Sequence, residues 1–188
     1  MKWSCLFFAL NMVVCIGLAT VTVHGQQYFT HTTDFQQKLN HLGLYYYEPT
    51  EAWLHPIPSP ENDYGPFDLV LESSEESVQI MYRFKEINSA NDLMNHPNLD
   101  MYQYVATLAS NDQNTNITLT GIEHSVLDTI FNADWGLYAD FVPKQSLSPL
   151  PHCRLLAIYK EEHAMVYSMI FYKEELPEYF ELPISFQE

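Results

Sequence analysis

From Val78 the chain alternates. Val78, Ile80, Tyr82 and Phe84 fall on one side, and Gln79, Met81, Arg83 and Lys85 on the other. Period two over eight residues predicts a strand with one well-packed face and one wet or partly covered face. Phe67–Leu71 precedes it across the polar tip Ser73-Ser74-Glu75-Glu76, so Phe67–Ile87 reads as a β-hairpin. Later, Cys153–Lys160 and Ala164–Tyr172 flank a Glu161-Glu162-His163 turn. The last of these strands is apolar at odd and even positions alike, which requires a layer on each side of its sheet. Leu137–Val142 reads as another strand, led in by Phe131-Asn132-Ala133-Asp134-Trp135-Gly136.

Helical spacing appears in three places. Thr33 and Gln36 form a capping-box pattern opening a short helix through about His41, ended by Gly43. Pro97 suits a first helical turn, and Leu99, Met101, Tyr102, Val105, Ala106, Leu108 and Ala109 continue at helical positions to Ser110. Ile122–Phe131 predicts a second short helix after it. Between these elements, Leu44-Tyr45-Tyr46-Tyr47 is a β-rich run stopped by Pro49. Leu54–Pro66, with Pro56, Pro58, Pro60 and Pro66, reads as a loop unsuited to ladder or helix. A turn or helical piece around Leu176–Phe180 leads to Pro183-Ile184-Ser185-Phe186. The expected fold class is α+β: one antiparallel β-sheet with helices on both faces, a three-layer α/β/α sandwich spanning residues 26–188 without repeat or second domain.

Residues 1–25 have a different pattern. Lys2 is followed by a stretch free of formal charge from Leu6 to Val23, and Val23-His24-Gly25 ends on a small residue before Gln26-Gln27. This is the layout of a secretory signal peptide cut after Gly25. The apolar run is near the lower limit for a membrane span, about 17–25 residues. No basic stop-transfer cluster follows, so the reading is a cleaved signal, secretion or periplasmic export, and no stable membrane span afterwards. Cys15 lies inside the apolar core, which argues against lipidation there.

Cleavage changes the cysteine and charge pictures. Cys5 and Cys15 leave with the signal, so Cys153 remains as a single thiol with no internal bridge available. Its apolar neighbours predict a buried, inert thiol rather than a nucleophile. Loss of Lys2 takes the formal charge from −16 to −17. That balance argues against nucleic-acid partners, which demand basic patches, and against anionic membrane surfaces. A hydrophobic share of 47% separates the chain from disordered acidic proteins.

The element order resembles the PsbP-like, or Mog-type, α/β/α sandwich of exported proteins. The residues carrying the resemblance are the aromatic first strand running to Pro49 and Trp53, the Phe67–Ile87 hairpin, the long helix, Phe131-Asn132-Ala133-Asp134-Trp135-Gly136 with Phe141-Val142-Pro143-Lys144, Cys153-Arg154-Leu155-Leu156, and the closing Ile184-Ser185-Phe186. It is similar to a pattern in uncharacterised exported bacterial proteins of that fold, and implies an accessory or protein-binding role. No binding residue of that family maps onto a position of this chain.

Catalytic signatures are missing from the sequence. The seven histidines after the signal are scattered, with no His-x-x-x-His pair, and structural zinc is not expected with one thiol. There is no Gly-rich phosphate loop and no Gly-x-Ser-x-Gly elbow. Glu75-Glu76, Glu161-Glu162 and Glu174-Glu175 sit at turns, where acids stay hydrated. The expectation is therefore a non-enzymatic module with a possible protein partner, no cofactor, no metal site and no catalytic residue. The candidate binding contacts are Tyr46, Trp53 and Trp135. The alternative is an extracytoplasmic hydrolase acting on a polymer such as a glycan, with two carboxyls facing an aromatic cleft. Asn116-Ile117-Thr118 fits the N-glycosylation pattern.

Overall fold

The computed structural model describes residues 33–47, 54–75, 77–87, 96–112, 116–176 and 184–187. The signal segment 1–25, Trp53, Glu76 and most of the Leu176–Phe180 turn lie outside the described residues. Among the described residues no helix is long and apolar enough to cross a membrane.

The fold is α+β. It has α1 (Thr33–His41), β1 (Leu44–Tyr46), β2 (Leu54–Pro56), β3 (Leu69–Ser73), β4 (Val78–Glu86), α2 (Pro97–Leu108), β5 (Thr118–Gly121) and α3 (His124–Val126). A π-helical turn (Leu127–Phe131) continues α3, and β6 (Trp135–Phe141), β7 (His152–Lys160), β8 (Ala164–Tyr172) and β9 (Ile184–Phe186) complete the chain. Seven strands form one antiparallel sheet in the order β2-β3-β4-β8-β7-β6-β5, and β1 pairs with β9 in a separate two-stranded sheet. The hairpin, the closing strand pair and the three predicted helical regions fall where the sequence placed them.

β8 is central, and its alternation divides the core. Val166 and Ile170 join Ile80, Tyr82, Phe84, Leu156 and Ile158 in one hydrophobic cluster, with Phe35 and Leu39 of α1, Leu44 of β1, Leu127 and Phe131 of the π-helical turn, and Phe186 of β9. Met165, Tyr167, Met169 and Phe171 join Met81, Leu155, Ala157 and Cys153 in a second cluster, with Met101, Val105 and Leu108 of α2. Successive strand residues point to opposite faces, so the clusters lie on opposite sides of the sheet.

Two strands depart from the sequence reading. Leu54–Pro56, expected within a loop, forms the edge strand β2 against β3. Proline is tolerated there because an edge strand has a free side on which no N–H is required. β5, which has no hydrophobic alternation and is exposed at all four residues, forms the other edge against β6.

The Phe131–Gly136 motif acts as a structural junction. Asn132 adopts the left-handed conformation at φ 48° and its side-chain amide donates to the carbonyl of Gln187 at 2.6 Å. Asn is among the few residues that take this conformation readily. Lys160 Nζ donates to the Asn132 carbonyl at 3.0 Å, and Asp134 Oδ2 accepts the Glu161 N–H at 2.7 Å. A Cβ on Gly136 would stand 2.7 Å from Leu127 Cδ2, so a side chain there would push the Leu127 side chain aside. Gly43, at φ +63°, ends α1 and faces His163 in the same way, with 2.8 Å between a would-be Cβ and Cδ2 of that ring.

Candidate functional site

The partly covered face of β4 meets α2. Arg83 and Lys85 project from β4 on the side of Met81, and α2 lays one stripe over them: Asp100, Gln103, Tyr104 and Thr107, at i, i+3, i+4 and i+7. With Tyr167 of β8 they line a recess of about 200 Å³.

Its polar groups are wired together. Asp100 accepts from Lys85 Nζ through Oδ1 and from the Tyr167 hydroxyl through Oδ2, each at 2.5 Å. Arg83 donates to the Tyr64 carbonyl at 2.7 Å, and its guanidinium lies 5.1 Å from the centre of the Tyr104 ring, within cation–π range. Tyr104 packs on Tyr167 with ring centres 4.5 Å apart. Burial, then the hydrogen bond and charge of Asp100, hold the Tyr167 phenol far above its ordinary value, so it stays a proton donor. Tyr104 is raised by burial, with Arg83 pulling the other way.

A second recess, of about 360 Å³, lies between the end of α1 and the β7–β8 turn, lined by Asn40, His41, Gly43, Glu86, Glu162 and His163 among others. His41 Nε2 is 3.2 Å from Glu86 Oε1, with both side chains well exposed. Among the described residues no group of three or more His, Cys, Asp or Glu side chains could hold a metal ion.

The sequence-selected contacts fall apart in space. Tyr46 is half-buried, edge-to-face with Phe35 at 5.8 Å and with Tyr82 at 5.9 Å, on the α1 side of the sheet. Trp135 is half-buried against the α2-side cluster. Trp53 lies outside the described residues. The exposed rings of the tyrosine run are Tyr45 and Tyr47, 50% and 60% accessible. Cys153 is a buried free thiol, pushed well above its ordinary value by burial and by the charge of Asp140, so it is kept as the unreactive thiol. His152 and Cys153 do not share a site: His152 is exposed and stacks on Tyr172, ring centres 5.3 Å apart.

No family model, curated protein or solved structure matches this chain. The recess missed by sequence reasoning had one legible half: Arg83 and Lys85 alternate on a strand face that had to be partly covered. Its other half, the α2 stripe, needed the topology.

Proposed function

We propose that the protein is an exported, non-enzymatic accessory module that binds a protein partner, built as a three-layer α/β/α sandwich of the PsbP-like type. The uncharged apolar run Leu6–Val23 before a small residue supports export. Apolar clusters on both faces of one sheet, one holding α1 and the other α2, support the layered architecture. The acidic balance of −16 favours a partner other than nucleic acid.

The observation that carries the binding role is the α2–β4 recess. At about 200 Å³ it is smaller than small-molecule sites, which run about 300–1,000 Å³, and it suits one or two side chains of a partner. Arg83 and Lys85 are two of only eight basic residues in the chain, and Arg83 is combined with a stacked tyrosine. Arginine and tyrosine are enriched where protein contacts carry most energy. A partner segment presenting a carboxylate complements the Arg83 guanidinium, since Lys85 is already paired with Asp100. A polymer hydrolase would need two carboxyls about 5–10 Å apart across a cleft. Asp100 is the one carboxylate lining this recess, and it is engaged by Lys85 and Tyr167.

The test is affinity capture from native extracellular fluid with the folded wild type and with Gln103→Arg, which fills the recess from an exposed position of α2. The expected result is one stoichiometric partner retained by wild type and lost by the variant at unchanged thermal stability. Equal capture by both, or turnover of a glycan panel by wild type, contradicts the reading.

A further inference from the structure

The two edges of the seven-stranded sheet are protected unequally. β2 is three residues long and ends on Pro56, which blunts an edge because proline offers no N–H to a new strand. β5 is Thr118-Leu119-Thr120-Gly121, without charge or proline, exposed throughout, and paired among the described residues with β6 alone. Ile117 and Leu119 are 45% and 37% accessible beside it. An open, uncharged edge with exposed aliphatic side chains is a template for pairing with another chain.

Two residues before this edge strand stands Asn116, in the one Asn-x-Ser/Thr triplet of the sequence. Asn116, Ile117 and Thr118 are all exposed. The middle residue is Ile117 and Leu119 follows, so proline does not interrupt the pattern. Thr118 is extended, opposite Asp140 in the β5–β6 ladder. Asn116 and Thr118 are both exposed on this short stretch, which leaves the amide and the hydroxyl open to one enzyme surface.

We infer that Asn116 is an N-glycosylation site whose glycan covers the open edge of β5. The inference rests on the export reading, in the form of passage through a eukaryotic secretory lumen. In the transfer, Nδ2 of Asn116 attacks C1 of the reducing-end sugar of a lipid-diphosphate oligosaccharide. The N–C1 bond forms, the bond from C1 to the phosphate oxygen breaks, the lipid diphosphate leaves with the electron pair, and the amide proton passes to a base of the transferase. No oxidant or reductant is involved. The attached sugar stands at the start of the edge strand, where a bulky, hydrated group hinders approach of a second strand.

The full chain is expressed in cultured eukaryotic cells in two forms, with its own first 25 residues and with a borrowed cleavable leader ahead of Gln26. The expected product in the medium runs as one retarded band that collapses to a single faster band with an asparagine-specific glycosidase. Asn116→Gln and Thr118→Ala should abolish the retardation, and Thr118→Ser should keep it. By light scattering, Asn116→Gln should self-associate at concentrations where the glycosylated chain stays monomeric. Medium protein from either form that is unretarded, with unmodified Asn116 by mass spectrometry, overturns the site. A glycosylated protein whose Asn116→Gln variant remains equally monomeric overturns the shielding role. Export by the borrowed leader but not by the chain's own residues overturns the export reading and leaves the glycan result to stand or fall separately.

Discussion

The two faces of β8 are built from the same strand yet treat buried oxygen differently. On the α2 side, Tyr167 gives its hydroxyl to Asp100, which also holds Lys85, and Arg83 is held between Tyr64 and Tyr104. On the α1 side, Tyr82 and Ser168 are opposite each other on β4 and β8, and both hydroxyls are buried without a hydrogen-bond partner among the described residues. A buried hydroxyl left unpaired costs stability, whereas a paired one is roughly balanced or modestly favourable. The comparison teaches that the α2 side is a polar device held in register by its pairing. The α1 side pairs a carboxylate too, Asp68 with Lys38 and the Phe84 N–H, but leaves the Tyr82 and Ser168 oxygens to the surrounding apolar contacts.

The comparison breaks first if the two faces differ in packing itself. Phe171→Ala and Ile170→Ala, adjacent residues on opposite faces, should each destabilise strongly, by about 3–5 and 2–5 kcal/mol in denaturant melts. A loss under ~1 kcal/mol on one face would mean that its layer is not a core. The next largest contrast is polar. Asp100→Ala strands the Tyr167 hydroxyl and Lys85 and should cost about 1–3 kcal/mol, while Tyr82→Phe removes an oxygen with nothing to lose and should be neutral or stabilising by up to ~1 kcal/mol. Equal losses from the two variants would erase the distinction between the faces.

High pH tests both faces together. Tyr82 and Tyr167 are raised by burial above all, and Cys153 likewise. Each group's folded value lies above its unfolded one, so its contribution is fully present below the unfolded value and is lost as pH rises beyond it. Stability should therefore be flat at neutral pH and fall above about 8.5 for the thiol and about 10 for the phenols. Tyr82→Phe and Tyr167→Phe should each flatten the upper limb. A limb unchanged in both variants would contradict the burial assignment. The smallest effect concerns the exposed pair Arg154–Asp140, bonded at 2.7 Å. Asp140→Ala should change stability by under ~1 kcal/mol, and less at high salt.

The legibility of these features follows from where burial alternates. β4, β7 and β8 are readable because each has a clear apolar rhythm, and β8's two apolar faces match the two hydrophobic clusters. β2 was hidden by Pro56, since the proline rule loses force only at an edge, and edges are set by topology. β5 was hidden because an exposed strand leaves no hydrophobic signal. The pairing of β1 with β9, Leu44 opposite Phe186, joins distant segments that no local pattern links. Tyr46 stands in an aromatic run, but strand direction turns it inward and leaves Tyr45 and Tyr47 outside. In the recess, Arg83 and Lys85 were visible as a polar strand face. Asp100 and Tyr104 looked like ordinary helix positions until α2 was laid across β4.

The most direct test of the account is a paired measurement on Gln103→Arg and Tyr82→Phe, reading partner capture from extracellular fluid and thermal unfolding in the same preparations. Gln103→Arg should abolish capture at unchanged Tm, and Tyr82→Phe should keep full capture at an equal or higher Tm. Capture that survives Gln103→Arg, or that is lost with Tyr82→Phe, would contradict the assignment of binding to the α2 face.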